Sequence, residues 1–298
     1  MCTIRYMSGS EKASINLKEN IMGLRIATNV ASEMVQKNLS KVSESSAQSL
    51  EKLSSGKRIT KAADDAAGLA IAKNLEAQTA GLRQASRNAN DGISLVQVAE
   101  GGLNEVSNII VRLRELSVQA ASDTVGDKER DFLNKEYQQL VSEVDRIAET
   151  TAFGGANLLN GTGSGEMEFQ VGNGSGAVHR IGFDSSAANA TASSIGISGT
   201  GVLEKSDARD SLENLDEALQ TVSGFRATFG SVQSRLQSTI SNLGTQVVNQ
   251  EAARSVIEDV DVAAESAKMA SDNIIKQAGI ATLSQANNVP NSALRLIS

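Results

Sequence analysis

The residue types that most often carry enzyme chemistry are scarce in this chain of 298 residues. Its single histidine is His179 and its single cysteine is Cys2, so one chain cannot assemble a cluster of His and Cys ligands. No second histidine completes a zinc protease motif, and no context around His179 marks the base of a Ser-His-Asp triad. We expect His179 to be an exposed strand residue and the chain not to be an enzyme.

Two further patterns have simpler explanations than catalysis. Asp64 and Asp65 are adjacent, as are Glu258 and Asp259, and such pairs can serve acid catalysis or bind Ca²⁺. Acidic residues are equally typical of helix starts, where they face the positive end of the helix dipole. The glycines of segment 172–176 lie between two predicted strands, whereas a phosphate cradle precedes a helix. We predict no metal and no cofactor.

Composition and charge exclude two classes of partner and favour one kind of architecture. The net charge is −7 with acidic and basic residues interspersed, unlike the concentrated basic face of a nucleic-acid-binding protein. No apolar run reaches 18 residues, so we predict no membrane insertion. Aromatic residues make up 3% of the chain and there is one proline. Few bulky side chains and almost no helix breakers favour long helices packed side by side.

Apolar side chains recur at alternating steps of three and four residues in four parts of the chain. This spacing forms a seam that a neighbouring helix covers. It predicts a mainly α fold, an elongated coiled-coil or helical bundle formed by the N- and C-terminal halves. The seam positions are Val96, Ala99, Leu103, Val106, Ile110, Leu113, Ser117 and Ala120; Leu133, Tyr137, Leu140, Val144 and Ile147; Ala208, Leu212, Leu215, Leu219, Val222, Arg226, Phe229, Gln233, Leu236, Ile240, Leu243 and Val247; and Ile257, Val260, Ala264, Ala267, Ser271, Ile274, Ala278 and Ala281.

The middle of the chain has a different pattern. Residues 166–171 and 177–183 alternate apolar and polar side chains, and the glycine-rich segment 172–176 joins them, which predicts a hairpin. The surrounding sequence is rich in Gly, Ser, Thr and Asn. We therefore predict a small β-rich insert over residues 160–206, on the exposed side of the protein.

Both ends of the chain have weak seams. Between Met22 and Leu53 the apolar positions are interrupted by Ser, Asn and Gln, and the last seam is dominated by Ala and Ser. Helices of this kind bury little apolar area and are marginal alone. We predict that both ends are disordered in a single subunit and fold when they pack together in an assembly.

Several long motifs in the same order resemble the terminal signatures of bacterial flagellins. The resemblance spans residues 22–159 and 207–298, on both sides of the insert. Two departures stand out. Residues 1–21 precede Met22, where similar flagellins begin, so Met22 is a candidate for the true start. Phe153-Gly154-Gly155 replaces the aromatic-Asn-Gly turn that is usual in the family. The motifs are LSSGKRITKAADDAAGLAIA at 53–72, NANDGISLVQVAEGGL at 88–103, IEDVDVA at 257–263, QAGIATLSQANNVP at 277–290 and LRLIS at 294–298.

This resemblance implies a structural subunit that is exported by the flagellar route without a cleaved signal peptide and polymerises into the extracellular filament used for swimming. The alternative is a hook–filament junction protein, a relative with flagellin-like ends. Segments 22–64 and 259–298 would be inner-core helices, 65–159 and 207–258 an outer bundle, and 160–206 the surface insert. The inner-core and inter-subunit seam would include Val35, Leu39, Val42, Ile257, Val260 and Ile274.

The resemblance also implies partners. The first is another copy of the chain, and the second is an export chaperone that binds the C-terminal helix, here 257–286. Filament cap and junction proteins are further partners. The flagellin-sensing Toll-like receptor of animal hosts would contact the positions that match the family's recognised surface, Arg112, Leu116 and Glu136. Charged residues at these positions also serve subunit packing, and Leu116 alternatively covers a flank of the bundle.

Overall fold

The computed structural model describes residues 28–162, 165–186 and 188–297. The extension 1–21, the proposed start at Met22 and Cys2 lie outside the described residues. Within these ranges the chain divides into two compact units. One contains the described residues up to Asp64 and those from Asp259 onward, and the other is Asp65–Glu258. The two units are described separately.

Five long helices account for most of the described chain. They are α1 (Val30–Ser55), α2 (Ala66–Ala120), α3 (Asp127–Thr150), α4 (Lys205–Glu258) and α5 (Val262–Ile297). At about 1.5 Å per residue, the 55 residues of α2 extend for about 80 Å. Asp65 caps α2 by accepting a hydrogen bond from the backbone N–H of Gly68 at 2.8 Å. α4 begins at Lys205, two residues before the boundary expected from the sequence.

The core of the larger unit lies between α2 and α4, with α3 packed on α2. The two long helices run antiparallel, since Arg83 pairs with Glu251 near one end and Arg114 with Asp216 near the other. All eight predicted seam positions of α2, from Val96 to Ala120, are completely buried. The mainly α fold is therefore confirmed, and the three–four spacing identified the buried face of α2 correctly.

Two small antiparallel pairs of strands follow α3. The first joins β1 (Ala152–Phe153) to β2 (Ala156–Asn157), and the second joins β3 (Glu166–Gln170) to β4 (Arg180–Asp184). Gly154 and Gly155 form the turn of the first pair with φ of 59° and 86°. Two successive positive φ values define a turn that strongly favours glycine, so Gly154 conforms to the geometry despite departing from the family's usual asparagine.

The predicted hairpin is present, but its second strand starts later than expected. Residues Ala177–His179 form a 3₁₀ turn, so β4 begins at Arg180. The expectation that His179 is an exposed strand residue is therefore wrong. It is half-buried in the turn, with its ring against Gly172 and Gly174. Glycine is needed at both positions because a Cβ there would overlap the ring.

Much of segment 160–206 packs against the helices rather than facing solvent. The Phe183 ring lies 4.9 Å from the ring of Phe229 on α4. The backbone N–H of Ala192 donates to Asp145 on α3 at 2.7 Å. The predicted surface placement is thus wrong for this part, because scattered apolar side chains complete the core of the bundle. The buried apolar side chains are Val171, Ile181, Phe183, Ala188, Ala190, Ala192, Ile195, Ile197 and Val202.

Candidate assembly interface

The smaller unit consists mainly of α1 and α5 packed against each other. The helices run antiparallel, since Asn29 at the start of α1 donates to the carbonyl of Ala286, whereas Ser45 donates to Asp272. Val35, Leu39 and Val42 are half-buried and line a shallow apolar groove with residues of α5. These three predicted seam residues therefore face the partner helix.

The C-terminal part of the predicted seam is arranged differently. Ile257 belongs to α4 in the larger unit, and Val260 lies in the break before α5. Ile274 is 67% exposed and does not face α1. The continuous seam expected from 257 to 281 is thus wrong, because Ala and Ser on several faces of α5 do not define one stripe. The side chains of α5 that are partly buried up to residue 289 are Glu265, Met269, Asp272, Gly279, Leu283 and Ala286.

The acidic pairs noted in the sequence help to build turns and helix starts. Asp64 accepts hydrogen bonds from the backbone N–H groups of Thr60 and Lys61, at 3.0 and 3.1 Å, which lower the pKa of its carboxyl. Asp261 caps α5 by accepting from Ala263 and Ala264. Among the described residues, no group of three or more His, Cys, Asp or Glu side chains is arranged to hold a metal ion.

Eight large apolar side chains on the described parts of α1 and α5 are exposed in the single chain. Met34 is 61% exposed, Leu50 60% and Ile280 53%. In a stable monomer, exposed apolar side chains are normally scattered, whereas several on one thin pair of helices indicate a surface for assembly. We call the following side chains the assembly face: Val30, Met34, Leu50, Val262, Ile274, Ile275, Ile280 and Val289.

The three residues of the receptor hypothesis lie in the larger unit, on α2 and α3. Arg112 is half exposed, pairing with Glu136 at 2.8 Å and with Glu115 at 2.9 Å. Hydrogen bonding to Glu136, followed by that to Glu115, raises the pKa of the Arg112 guanidinium. Leu116 is 1% exposed and belongs to the core. The prediction that Leu116 forms part of a receptor surface disagrees with this burial, whereas Arg112 and Glu136 are both exposed.

Comparison with known protein families decides which family the chain belongs to. The family model of the bacterial flagellin N-terminal helical region matches residues 26–164. That of the bacterial flagellin C-terminal helical region matches residues 212–297. The chain belongs to the bacterial flagellin family. It is therefore a structural subunit of the flagellar filament, the extracellular assembly that drives swimming.

Individual flagellar proteins agree with this assignment. The flagellin of Halalkalibacterium halodurans is 43% identical over 250 residues, covering 84% of the chain and 91% of that protein. The flagellar filament 33 kDa core protein of Treponema phagedenis is 37% identical, covering 90% of the chain and 98% of that protein. A putative flagellar hook-associated protein from Vibrio parahaemolyticus has a TM-score of 0.55 at 16% identity, over 65% of the chain and 99% of that structure. This last likeness concerns the fold alone and gives no support to the junction alternative.

One feature of the interface was missed by the sequence reasoning, which looked only for apolar seams. Several contacts between α1 and α5 are polar, and they involve serines that stand on the inner face of α1. The signal was partly present in the sequence, because Ser32 and Ser49 fit the same three–four spacing as Val35, Leu39 and Val42, whereas Ser45 lies one residue away from it. No described helix has an apolar stretch of the length that would cross a membrane.

Proposed function

We propose that the chain acts as a structural rather than a catalytic protein, and that α1 and α5 form the inner layer of the filament. The assembly face is the observation that carries this proposal. Burying a Met, Leu or Ile side chain stabilises by about 1.5–3 kcal/mol, so neighbouring copies that cover this face gain a large driving force. Within one chain, α1 and α5 leave many of their apolar side chains exposed. This supports the prediction that the chain ends fold only as the polymer grows.

Seeded polymerisation tests this proposal directly. Purified chain is mixed with short filament fragments, and growth is followed by electron microscopy and sedimentation. Ile274→Asp places a charge in the assembly face, and we expect it to abolish growth. Val178→Asp is the matched control, because Val178 is 89% exposed on the hairpin of the larger unit. Unchanged growth of the Ile274→Asp chain would show that the assembly face does not drive polymerisation.

The same face supports an export chaperone as a second partner. Ile274, Ile275 and Ile280 are all about half exposed or more on α5, and a bound chaperone would shield them before export. We propose that the chain leaves the cell by the flagellar export route, which accepts an unfolded chain. Filament cap and junction proteins would meet the same helices at the ends of the polymer. Co-purification with the chaperone, compared between wild type and Ile280→Asp, tests the chaperone contact.

A host receptor is a further proposed partner, through the exposed pair of Arg112 and Glu136. Receptor activation by the monomer is measured for Arg112→Ala, with Arg146→Ala as the control. Arg146 is also exposed and also pairs with a glutamate, Glu143 on its own helix. We expect the first variant to activate less and the second to match wild type. Equal activation by both variants would show that the receptor does not recognise the Arg112–Glu136 pair.

A further inference from the structure

Four contacts connect the inner faces of α1 and α5 at roughly regular intervals. Ser32 donates its hydroxyl to Asn287 at 2.9 Å, and Ser45 donates to Asp272 at 2.8 Å. Between these two contacts, Leu39 lies against Gly279. At the fourth position Ser49, which is completely buried, lowers the pKa of Glu265 on α5. We call Ser32–Asn287, Leu39–Gly279, Ser45–Asp272 and Ser49–Glu265 the register contacts.

The spacing of these residues matches a two-helix seam. On α5 the residues Glu265, Asp272 and Gly279 are seven apart, so all three lie on one stripe of a heptad pattern. On α1 the inner face consists of Ser32, Val35, Leu39, Val42, Ser46 and Ser49, at alternating steps of three and four. The contact residue Ser45 is the neighbour of Ser46 at the edge of this face. This stripe on α5 therefore contains polar residues and glycine, and the apolar Met269 and Leu283 stand beside it on the same partly buried face.

The glycine contact is steric. A Cβ at position 279 would lie 3.3 Å from Cδ1 of Leu39, closer than most Cβ contacts in folded proteins, so the Leu39 side chain would have to shift. Gly279 thus provides a notch that accepts the end of Leu39. At the Ser49–Glu265 pair, Ser49 Oγ and Glu265 Oε1 are both buried, and neither has a hydrogen-bond partner. The Ser49 hydroxyl is nevertheless the main reason that the pKa of Glu265 is lowered, and it is opposed by burial.

We propose that the register contacts select one alignment of the two terminal helices among several with similar apolar burial. Aliphatic and alanine side chains tolerate a slide of one heptad, because they offer a similar surface after it. The hydrogen bonds of Ser32 to Asn287 and of Ser45 to Asp272 do not, since a partly buried group that loses its partner costs free energy. A slide in one direction sets Glu265 against Val42 and removes Leu39 from Gly279. A slide in the other direction sets Leu39 against Ala286, whose Cβ fills the notch.

This inference deepens the proposed function. The alignment within one chain stands by itself, and only its consequence for the polymer rests on that function. Chain ends that order during assembly meet many equivalent helices at the growing tip, and a shifted pair would displace every contact made afterwards. A polar seam sacrifices some stability for one alignment, which is the best-attested role of polar groups in coiled coils.

Matched cysteine pairs measure the alignment. Cys2→Ser provides a chain without cysteine. Val42 and Ile275 each stand three residues from the Ser45–Asp272 contact, and Val35 and Thr282 line the same groove further along the pair. The in-register variants are therefore Val42→Cys with Ile275→Cys, and Val35→Cys with Thr282→Cys. Exchanging partners gives two variants displaced by one heptad, about 10 Å. A short thiol crosslinker is applied to purified chain and to sedimented polymer, and intrachain products are separated by non-reducing electrophoresis.

The proposal expects intrachain crosslinks for the two in-register variants and not for the two displaced ones. Replacing Ser32, Ser45 and Ser49 by Ala, together with Gly279→Ala, should raise crosslinking of the displaced variants by about tenfold, the effect of losing one or two hydrogen bonds. Ser40→Ala with Ser54→Ala is the control on exposed positions of α1, and it should change nothing.

The outcomes separate the register from the filament function. In-register crosslinks without polymer would support the register contacts and contradict the proposed function. Polymer in which all four variants crosslink equally, or in which the fourfold replacement leaves the pattern unchanged, would overturn the register contacts and leave the function standing. Absence of any intrachain crosslink in both fractions would also overturn them.

Discussion

Arg130 closes the C-terminal end of α2 by donating from Nε to the carbonyl of Ala120 at 2.9 Å. Its other nitrogens donate to the carbonyl of Ser122 at 3.1 Å and to the Asp127 carboxylate at 3.0 Å. The last carbonyls of a helix have no partner within it, and a cation there also complements the helix dipole. One nearly buried guanidinium thus satisfies the end of α2 and ties it to the start of α3.

Arg130→Ala should lower the free energy of unfolding by about 1.5–3 kcal/mol, the range for a hydrogen bond to a charged group. The variant leaves the carbonyl of Ala120 without its partner. Urea unfolding of the full chain, followed by circular dichroism, measures the change. Arg146→Ala removes an exposed arginine from α3 and should leave the midpoint where it is. Equal midpoints for both variants would show that Arg130 does not hold the helix end.

Adjacent glycines on α2 should respond to alanine with opposite signs. A Cβ at Gly102 would lie 2.7 Å from Oγ1 of Thr151 and 2.8 Å from Cδ1 of the buried Leu159, whereas a Cβ at Gly101 meets nothing within 4 Å. We expect Gly101→Ala to stabilise by about 0.5–1 kcal/mol through helix propensity. Gly102→Ala should destabilise by about 1–3 kcal/mol through overpacking. Two urea midpoints decide this, and a gain for both variants would contradict the packing.

Tyr137 should resist ionisation in the folded chain. Its ring is completely buried and its hydroxyl lies 2.7 Å from Thr200 Oγ1. Burial raises the pKa of Tyr137 above 10.0, and the hydrogen bond to Thr200 partly opposes that shift. The unfolded chain ionises first, so stability holds below pH 10 and falls as the pH rises from there through the folded pKa.

Ultraviolet titration reads this ionisation cleanly, since the chain has two tyrosines and no tryptophan. In a Tyr6→Phe background the remaining phenol should titrate above pH 10, or only on unfolding. Tyr137→Phe should reduce the alkaline loss of stability. A normal titration curve for Tyr137 in folded protein would mean that the ring is accessible to water.

Glu265 should make the helix pair sensitive to acid. The hydroxyl of Ser49, and then Lys268 and Lys52, lower the pKa of Glu265 from its ordinary 4.5, with burial opposing. Its contribution to stability is therefore complete above pH 4.5 and is lost as the pH falls through the lowered value. Wild type should form more sedimentable polymer than Glu265→Gln at pH 7, and the two should converge in acid. Glu44→Gln, on the exposed side of α1, is the control. A difference that persists in acid would show that the charge of Glu265 is not its cause.

The sequence predicted α2 well and α5 poorly, for one physical reason. Five of the eight positions in the α2 seam are Val, Leu or Ile, whose size and spacing mark one face for burial. On α5, Ala and Ser occur all round the helix, and the face that meets α1 contains Glu265, Asp272 and Gly279. No apolar periodicity identifies a face of that composition.

Other features depend on tertiary contacts that a linear pattern does not contain. Leu116 looked like a surface position beside Arg112, but it completes the core between the helices. The break between α4 and α5 depends on the Val260 N–H, which donates to the carbonyl of Gly56, 204 residues away in the chain. Segment 188–202 is buried because its apolar side chains join the core of the larger unit. Its own sequence, rich in Ala and Ser, is equally typical of an exposed loop.

Hydrogen exchange, followed by mass spectrometry on monomer and on seeded polymer, shows whether α1 and α5 become ordered only in the filament. Amides of α1 and α5 should exchange rapidly in the monomer and be strongly protected in the polymer. Amides of α2 and α4 should be protected in both states, because their seam is buried within one chain. Strong protection of α1 and α5 in the monomer, or rapid exchange of these helices in the polymer, would contradict this ordering in the filament.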